Sequence, residues 1–572
     1  MRIALAQINP VVGDVAGNAR LITARLAEAR AAGAQLALFP ELSVIGYPPE
    51  DLLLREHVLR DAREALDAIA EEAQGIIAIV GFPERGEDVF NSAAVLADGE
   101  VRGIYRKNQL PNYGVFDEHR YFQRGRGGAL IDVDGVAVGL TICEDIWVPG
   151  PPESDEALGG AKLIVNISAS PYQAGKGVAR ERMIAQRAKD NLVAVAFCAQ
   201  VGGQDELVFD GHSFVVDHAG RLVARAPQFE EALLLCNVDV EAVSAARLRD
   251  TRHRLPAHEA RPQLEDLGSF GTGNPAQLAD APAGELAPLL GEDAEIYAAL
   301  VMGTRDYVEK NGFGHVVLGL SGGVDSALVA CIAVDALGAE RVSCVTMPSR
   351  FTSEGTFSDA QRIAANLGVK LRELPIAGVM EAYDAVLGPA FDGRPPDVTE
   401  ENLQARIRGN YLMALSNKFG WLVLTTGNKS EMSVGYSTLY GDSAGGFAVI
   451  KDVPKLLVYR LTALRNARGD APVPETIITR PPSAELRPDQ SDQDSLPPYE
   501  VLDPIIEGYV EQDLGRDQLV ARGHDPATVE RVIRLVDLAE YKRRQQPPGI
   551  KITAKAFGRD RRMPITNRYR DV

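Results

Sequence analysis

Val316-Val-Leu-Gly-Leu-Ser-Gly-Gly-Val-Asp-Ser326 runs directly into Ala327-Leu-Val-Ala-Cys-Ile-Ala-Val-Asp-Ala-Leu337, and Gly338 follows. Val316 to Leu320 is nearly all apolar, which suits a strand buried on both faces, as in a parallel sheet. Ser321, Gly322 and Gly323 interrupt it. Ala327 to Leu337 reads as an apolar helix that Gly338 is placed to stop. The order is therefore strand, glycine loop, helix N-terminus. That order aims free backbone N–H groups and the positive end of a helix at one point, which makes an anion site. The glycines let the backbone approach a phosphate closely and take positive φ.

No Gly-Lys-Ser/Thr follows the glycines, so this is not a Walker A loop. Two adjacent glycines alone would be a tight turn with no ligand. The full string Ser321-Gly-Gly-Val-Asp-Ser326 resembles the pyrophosphate-binding loop of the ATP-pyrophosphatases. Those enzymes cut ATP between its α and β phosphates and adenylate a carboxylate or carbonyl. Downstream, Arg341 to Met347 reads as a strand, Phe357 to Leu367 as a helix and Val369 to Leu374 as a strand. This alternation gives a Rossmann-like parallel α/β sheet with helices on both faces. Ligands of such a sheet sit beyond the carboxyl ends of its strands, where the loop lies. Glu292 to Lys310 reads as the helix that leads into it.

At 572 residues the chain exceeds one hydrophobic core, and two large domains are expected. A hydrophobic content of 45% and a charged content of 24% are those of a soluble globular protein. A net charge of −19 argues against general binding to nucleic acid or to anionic membranes. Five cysteines do not make a disulfide framework in so long a chain and fit a reducing, cytoplasmic setting. Met1-Arg-Ile-Ala-Leu-Ala-Gln-Ile8 opens as a strand without a signal-peptide pattern, and no run is long enough to span a bilayer.

Upstream, residues 1–245 read as many strands with a few helices. Leu36-Ala-Leu-Phe39 delivers Pro40-Glu41. Ala93 to Tyr105 is a hairpin turning at Asp98-Gly99, and its exit delivers Lys107. Val136 to Ile142 delivers Cys143, and Leu163 to Ile167 delivers Ser168-Ala-Ser170. Strand ends of one sheet converge, so Glu41, Lys107 and Cys143 could meet at one site. Singly, each reads as a loop carboxylate, a surface cation and an inert core thiol.

Together, Phe39-Pro-Glu41-Leu, Tyr105-Arg-Lys107 and Ile142-Cys143-Glu144-Asp145 resemble the nitrilase/amidase family. The resemblance implies an α-β-β-α sandwich and a Glu-Lys-Cys triad in this chain order. Near neutrality a thiol of ordinary pKa is mostly protonated and needs a base. Glu41 would take the proton as Cys143 attacks an amide carbon, and Lys107 would stabilise the developing oxyanion. The glutaminase branch of the family further implies Tyr113, Ser170 and Lys176 as contacts of glutamine.

Residues 246–285 lose periodic pattern and read as a connecting segment, which leaves a second domain over 286–572. In that domain Glu401-Asn-Leu-Gln-Ala-Arg-Ile-Arg408, Thr425-Thr-Gly-Asn-Lys-Ser-Glu431, Arg480 to Gln490 and Pro547 to Thr553 resemble the NAD synthetases. With the nitrilase-like half, nearly the whole chain resembles the bacterial glutamine-dependent NAD synthetase family. The resemblance implies a ligase that amidates deamido-NAD with ammonia from glutamine, at the expense of Mg-ATP. It implies that Gly319, Leu320, Ser321, Gly322, Gly323, Val324, Asp325, Ser326, Thr426 and Lys455 bind ATP. It implies that Asp325 and Glu431 hold Mg2+, and that Asn402, Glu431 and Lys542 contact deamido-NAD. Large homo-oligomers containing synthetase dimers are also implied.

One departure concerns an aspartate that small ammonia-dependent synthetases carry after Tyr-Gly-Asp, where this chain has Gly445-Gly446. The basic tail, from Lys542 to Arg570, is expected to lie as a cationic lid over the dinucleotide and pyrophosphate, with some of its charges simply on the surface. Ammonia is mostly ammonium at neutral pH, so a closed route between the two sites is expected. The alternatives are another ATP-pyrophosphatase amidotransferase, an inactive nucleotide sensor and an ammonia-only synthetase.

Overall fold

Ile3 and Leu5 alternate with Ala4 and Ala6 along the first strand, and both sets are buried. A strand can bury both sets only inside a layered structure, with a partner layer on each face. The computed structural model describes residues 1–250, 262–273, 284–483, 485–487 and 490–569. It divides into two compact units, Met1–Gln204 with Val208–Leu290, and Asp205–Leu207 with Gly291–Val572.

The first unit holds two large sheets. One contains β1 (Arg2–Gln7), β2 (Leu36–Leu38), β3 (Ile77–Arg85), β4 (Val89–Ala97) and β5 (Glu100–Arg106). The other contains β6 (Gly128–Val133), β7 (Val136–Ile142), β8 (Leu163–Ser168), β9 (Ala194–Ala199), β12 (Phe214–Val216) and β13 (Leu222–Arg225). The short strands β10 (Val201–Gln204) and β11 (Leu207–Asp210) pair with each other. β14 (Ala232–Asn237) returns to the first sheet, and β15 (Leu264–Phe270) closes the edge of the second. The strand orders are β14-β1-β2-β3-β4-β5 and β13-β12-β9-β8-β7-β6-β15.

The inner faces of the two sheets share one core. Ile3, Leu5, Leu36, Leu38, Ile79 and Val95 of the first sheet cluster with Ile131, Val138, Leu140, Val165 and Ala196 of the second. Ala4, Ala6, Ala37 and Val80 point the other way, onto Ile22 and Leu26 of helix Val15–Ala31 and Leu66 and Ile69 of helix Glu56–Glu71. On the far side, Ile164, Val195 and Phe197 pack on Ile184 and Ala188 of helix Lys176–Asn191. The layers are therefore helix, sheet, sheet, helix, the α-β-β-α sandwich expected from the sequence.

The second unit contains β16 (Val316–Gly319), β17 (Val342–Thr346), β18 (Lys370–Glu373), β19 (Leu422–Thr425) and β20 (Phe447–Ala448), in the order β18-β17-β16-β19-β20. Every adjacent pair is parallel. β16 is central, and the helix that follows it, Val324–Leu337, is almost wholly buried. The parallel α/β reading of this half stands.

The connecting segment expected over 246–285 differs from the structure. Leu264–Phe270 pairs in parallel with Gly128–Val133, so the first unit runs on to Leu290. β6 would otherwise present unpaired N–H and C=O groups along that edge. Residues 251–261 and 274–283, which make up much of that expected connector, lie outside the described residues, as does Arg570.

Candidate functional site

Glu41 stands three residues past the end of β2, on a turn that crosses β3 at close range. A Cβ on Gly81 would meet Leu42 N and Pro40 O at 2.4 Å, so only glycine lets the two backbones approach. The turn carries Glu41 into the interior, where it is fully buried. Its Oε1 accepts from Lys107 Nζ at 2.6 Å and Asn91 Nδ2 at 2.8 Å, and its Oε2 accepts from the Ala169 amide at 2.9 Å.

Lys107 leaves β5 and is itself 1% exposed. Its ammonium also donates to both oxygens of Glu118, at 2.9 and 2.8 Å. Burial pulls the ammonium pKa down, but Glu118 and Glu41 outweigh it and hold the value well above an ordinary lysine. Glu118, which also accepts from Tyr47 Oη at 2.9 Å, is raised by burial to about 7. Its place in the site is not marked in the sequence. It lies in the string Phe116-Asp-Glu-His-Arg-Tyr-Phe122, and only its burial separates it from the charged residues around it.

Cys143 follows β7 at φ +43° and ψ −100°, a strained conformation for a residue with a Cβ. Its amide is tied to Ile167 O at 2.8 Å, which anchors the strained turn to the neighbouring strand. Burial first, then the Glu41 charge, pushes the thiol well above its ordinary range. The resting thiol is therefore protonated at neutral pH, and attack requires a base. Asp145 joins the two loops. Its Oδ1 accepts from the amides of Asn108 and Gln109 at 3.0 and 2.8 Å, and its Oδ2 from the Ile142 amide at 3.0 Å and Tyr105 Oη at 2.8 Å. This carboxylate holds the Lys107 loop against the Cys143 turn.

Of the three expected glutamine contacts, Lys176 and Ser170 bond each other and Tyr113 bonds Glu144. Tyr113 Oη donates to Glu144, at 3.0 Å to each oxygen. Lys176 Nζ donates to Ser170 Oγ at 2.7 Å and Pro171 O at 2.9 Å.

In the second unit the loop after β16 folds back on itself. Ser326 Oγ accepts from the Ser321 amide at 3.2 Å and lies 3.1 Å from Ser321 Oγ. Gly322 takes φ +85°, and a Cβ there would stand 2.2 Å from Thr356 O, so the loop is pressed onto helix Glu354–Leu367. A cavity of about 420 Å³ opens beside it, bounded by Gly319, Leu320, Ser321, Asn402, Thr426 and Lys542 among others. Gly322, Gly323, Val324, Asp325 and Ser326 continue the loop into the helix and do not line this cavity. Arg408, present in the Glu401–Arg408 string but not singled out from it, also lines it, with Nε donating to Met347 O at 3.1 Å. Burial lowers its guanidinium to about 10.

Asp325 and Glu431 converge on one cation. Lys455 Nζ is 2.5 Å from Asp325 Oδ2 and 3.6 Å from Glu431 Oε1. Asn428 Nδ2 donates to Asp325 Oδ1 at 2.8 Å, and the Asn428 side chain caps helix Lys429–Val434, which presents Glu431. Burial first, then the Asp325 charge, raises Glu431 to about 8. Lys429, fully buried, bonds Asp452 at 2.8 Å, Glu511 at 2.7 Å and Thr553 at 2.7 Å, and so roots that helix. Two hard carboxylates are a suitable set for Mg2+ that also takes phosphate oxygens. Among the described residues no group of three or more His, Cys, Asp or Glu side chains could hold a metal unaided.

One expectation is corrected here, and one departure is explained. Among the described residues the tail cations are largely taken up by protein carboxylates rather than gathered into a lid. Arg543 and Arg544 bond Glu540 at 2.8 and 2.9 Å, Lys551 pairs with Asp560 at 3.1 Å and Lys555 with Asp513 at 2.5 Å. Among the described residues of that series only Lys542 lines the cavity, and its ammonium also holds the carbonyls of Gly435 and Ser437 at 2.7 and 2.8 Å. At Gly445-Gly446, in turn, an aspartate has no room: a Cβ would meet Thr425 Cγ2 at 2.5 Å or Leu422 Cδ1 at 2.4 Å.

Comparison with known proteins bears on both units. Residues 2–248 match the carbon-nitrogen hydrolase family and residues 296–547 the NAD synthase family. A glutamine-dependent NAD(+) synthetase of Thermotoga maritima is 49% identical, over 100% of this chain and 99% of the relative. That of Aquifex aeolicus is 46% identical over the full length of both. A glutamine-dependent NAD+ synthetase of Acinetobacter baumannii, solved with adenosine diphosphate, is 43% identical, with a TM-score of 0.74 over 99% of this chain and 98% of that one.

Proposed function

This chain belongs to the glutamine-dependent NAD(+) synthetase family, and from that premise we propose how its two units divide the reaction. It is an amidotransferase ligase with a glutaminase unit and an NAD synthase unit. The observation that carries the division is the Lys107–Glu41 pair at 2.6 Å beside Cys143, in a chain that also holds the phosphate loop.

In the first unit, the Cys143 thiol attacks the side-chain carboxamide carbon of glutamine while Glu41 takes its proton. Lys107 stabilises the oxyanion, and Glu118 holds that ammonium in place from its other side. Collapse of the intermediate expels ammonia and leaves a thioester, which water hydrolyses to glutamate and free thiol. Tyr113, Ser170 and Lys176 hold the glutamine head.

In the second unit, a carboxylate oxygen of deamido-NAD attacks the α-phosphorus of ATP and pyrophosphate leaves. Ammonia then adds to the acyl carbon and AMP departs, giving NAD. Activation is needed because a bare carboxylate is a poor acyl donor. The residues Gly319 to Ser326, Thr426 and Lys455 bind ATP, and Asn402, Glu431 and Lys542 contact deamido-NAD. Asp325 and Glu431 would hold Mg2+, which offsets phosphate charge when bound. Arg408 adds a second cation to the cavity wall. The protein works in the cytoplasm as a homo-oligomer that pairs synthetase units. Among the described residues no helix is long and apolar enough to cross a membrane.

The test supplies the purified protein with deamido-NAD, ATP, Mg2+ and glutamine and follows NAD, AMP, pyrophosphate and glutamate. Equal amounts of NAD, AMP and pyrophosphate are expected. NAD formed with ADP and phosphate in place of AMP and pyrophosphate would rule out adenylation.

A further inference from the structure

Lys455 is the first residue of helix Lys455–Asn466, and its backbone is held firmly. Its amide donates to Ser430 Oγ at 2.9 Å, and Ser430 Oγ donates in turn to Asp503 Oδ1 at 2.5 Å. From this fixed origin the side chain reaches between the two carboxylates. The lysine side chain is 3% exposed, whereas those of Asp325 and Glu431 are 17% and 19% exposed. The carboxylates are thus reached from outside more readily than the ammonium that neutralises them.

With both carboxylates ionised, as metal binding would require, they and the ammonium leave a single negative charge. A divalent ion entering alone would have to share Asp325 with an ammonium already 2.5 Å from its Oδ2, which puts three positive charges on two negative ones. A polyphosphate changes that count, because its oxygens accept the ammonium and also complete a metal's coordination. A lysine side chain is long enough to leave the carboxylates while its backbone stays fixed.

Building on the reading that Asp325 and Glu431 hold the divalent ion, we propose that Lys455 occupies this carboxylate pair in the nucleotide-free protein and keeps the ion out until a polyphosphate draws the ammonium away. Lys455 is then a gating residue as well as an ATP contact, and metal and nucleotide arrive as one event. Metal held without nucleotide would screen the loop from the incoming phosphates, so the arrangement keeps the unliganded loop open to them.

The test uses the full-length protein without nucleotide and Mn2+ as the probe, with free Mn2+ read by electron paramagnetic resonance. Wild type is expected to bind Mn2+ at this place at least about tenfold more weakly than Lys455→Met, whose carboxylates lack their counter-charge. Thermal unfolding gives a second readout: Mn2+ should raise the unfolding temperature of Lys455→Met and leave that of wild type unchanged. Lys455→Arg, which keeps the charge, should behave as wild type. Should Lys455→Met not fold, Lys455→Gln carries the same comparison. Equal Mn2+ affinity in wild type and the neutral variant overturns the proposal. If the gained Mn2+ site survives Glu431→Gln in the Lys455→Met background, the ion sits elsewhere and the assignment of Asp325 and Glu431 falls with it.

Discussion

Each unit places one lysine between two carboxylates, and the two arrangements differ in closure. In the first, Lys107 bonds Glu41 at 2.6 Å and Glu118 at 2.8 Å, and the three side chains are 0%, 1% and 4% exposed. In the second, Lys455 lies at 2.5 Å from Asp325 but 3.6 Å from Glu431, with those carboxylates 17% and 19% exposed. A sealed triad cannot exchange its cation, so Lys107 is a fixed charge, which suits the oxyanion-stabilising role proposed for it. The second triad is open on one side, and its asymmetric ammonium is replaceable. On the proposed division of the reaction, the same local charge pattern serves covalent catalysis where it is closed and nucleotide chemistry where it is open.

The sharpest way to break this comparison is to remove each cation. Lys107→Met leaves Glu41 and Glu118 buried and unneutralised, and a loss of about 3–5 kcal/mol is expected. Lys455→Met should lose clearly less, since water and ions reach its carboxylates. Thermal unfolding of the two variants side by side decides it, and equal losses would remove the distinction between sealed and open.

The next largest effect tests the open triad. Asp325→Asn should lower NAD formation about a hundredfold or more with either glutamine or ammonium as nitrogen source, because adenylation serves both. Steady-state assays with each source check this, and a loss confined to glutamine would move Asp325 out of the synthetase reaction.

A smaller effect is the pH response of the sealed triad. The folded protein holds the Glu118 proton up to about 7, against 4.5 for an ordinary glutamate. Between those values the unfolded chain gives up its proton first, so stability falls as pH rises through the window and levels off above it. The unfolding temperature of Glu118→Gln should fall less steeply than that of wild type over the same window. Parallel curves would show that Glu118 is already ionised throughout.

The smallest expected effect is at the rim. Tyr113→Phe removes the hydroxyl held by Glu144 and should raise the KM for glutamine about fivefold, the scale of one exposed hydrogen bond. The KM for ammonium should not move.

Much of this was legible in the sequence because it rests on short-range pattern. The strand ahead of Ser321, the hairpin turn at Asp98-Gly99 and the helix Glu292–Lys310 each follow from periodicity and turn residues. Glu41, Lys107 and Cys143 stood out only as a set, since each is an ordinary residue in its own string. Glu118 was not legible, because its role comes from burial against Lys107 rather than from its neighbours. Leu264–Phe270 was missed for a related reason. It is an edge strand with Glu265, Asp266 and Gly268 inside it, and its pairing with Gly128–Val133 is irregular between Asp266 and Ser269. The tail cations looked like a ligand surface because their partners, Asp513 and Glu540 among them, lie elsewhere in the chain or were too few nearby to balance them.

The central claim is that the sealed and open triads belong to two reactions joined by ammonia. Cys143→Ala, assayed for NAD formation with glutamine and with ammonium chloride, tests it most directly. Glutamine-driven synthesis is expected to fall by about a thousandfold or more while ammonium-driven synthesis stays near wild type. A variant that still makes NAD from glutamine, or that loses both reactions together, would contradict it.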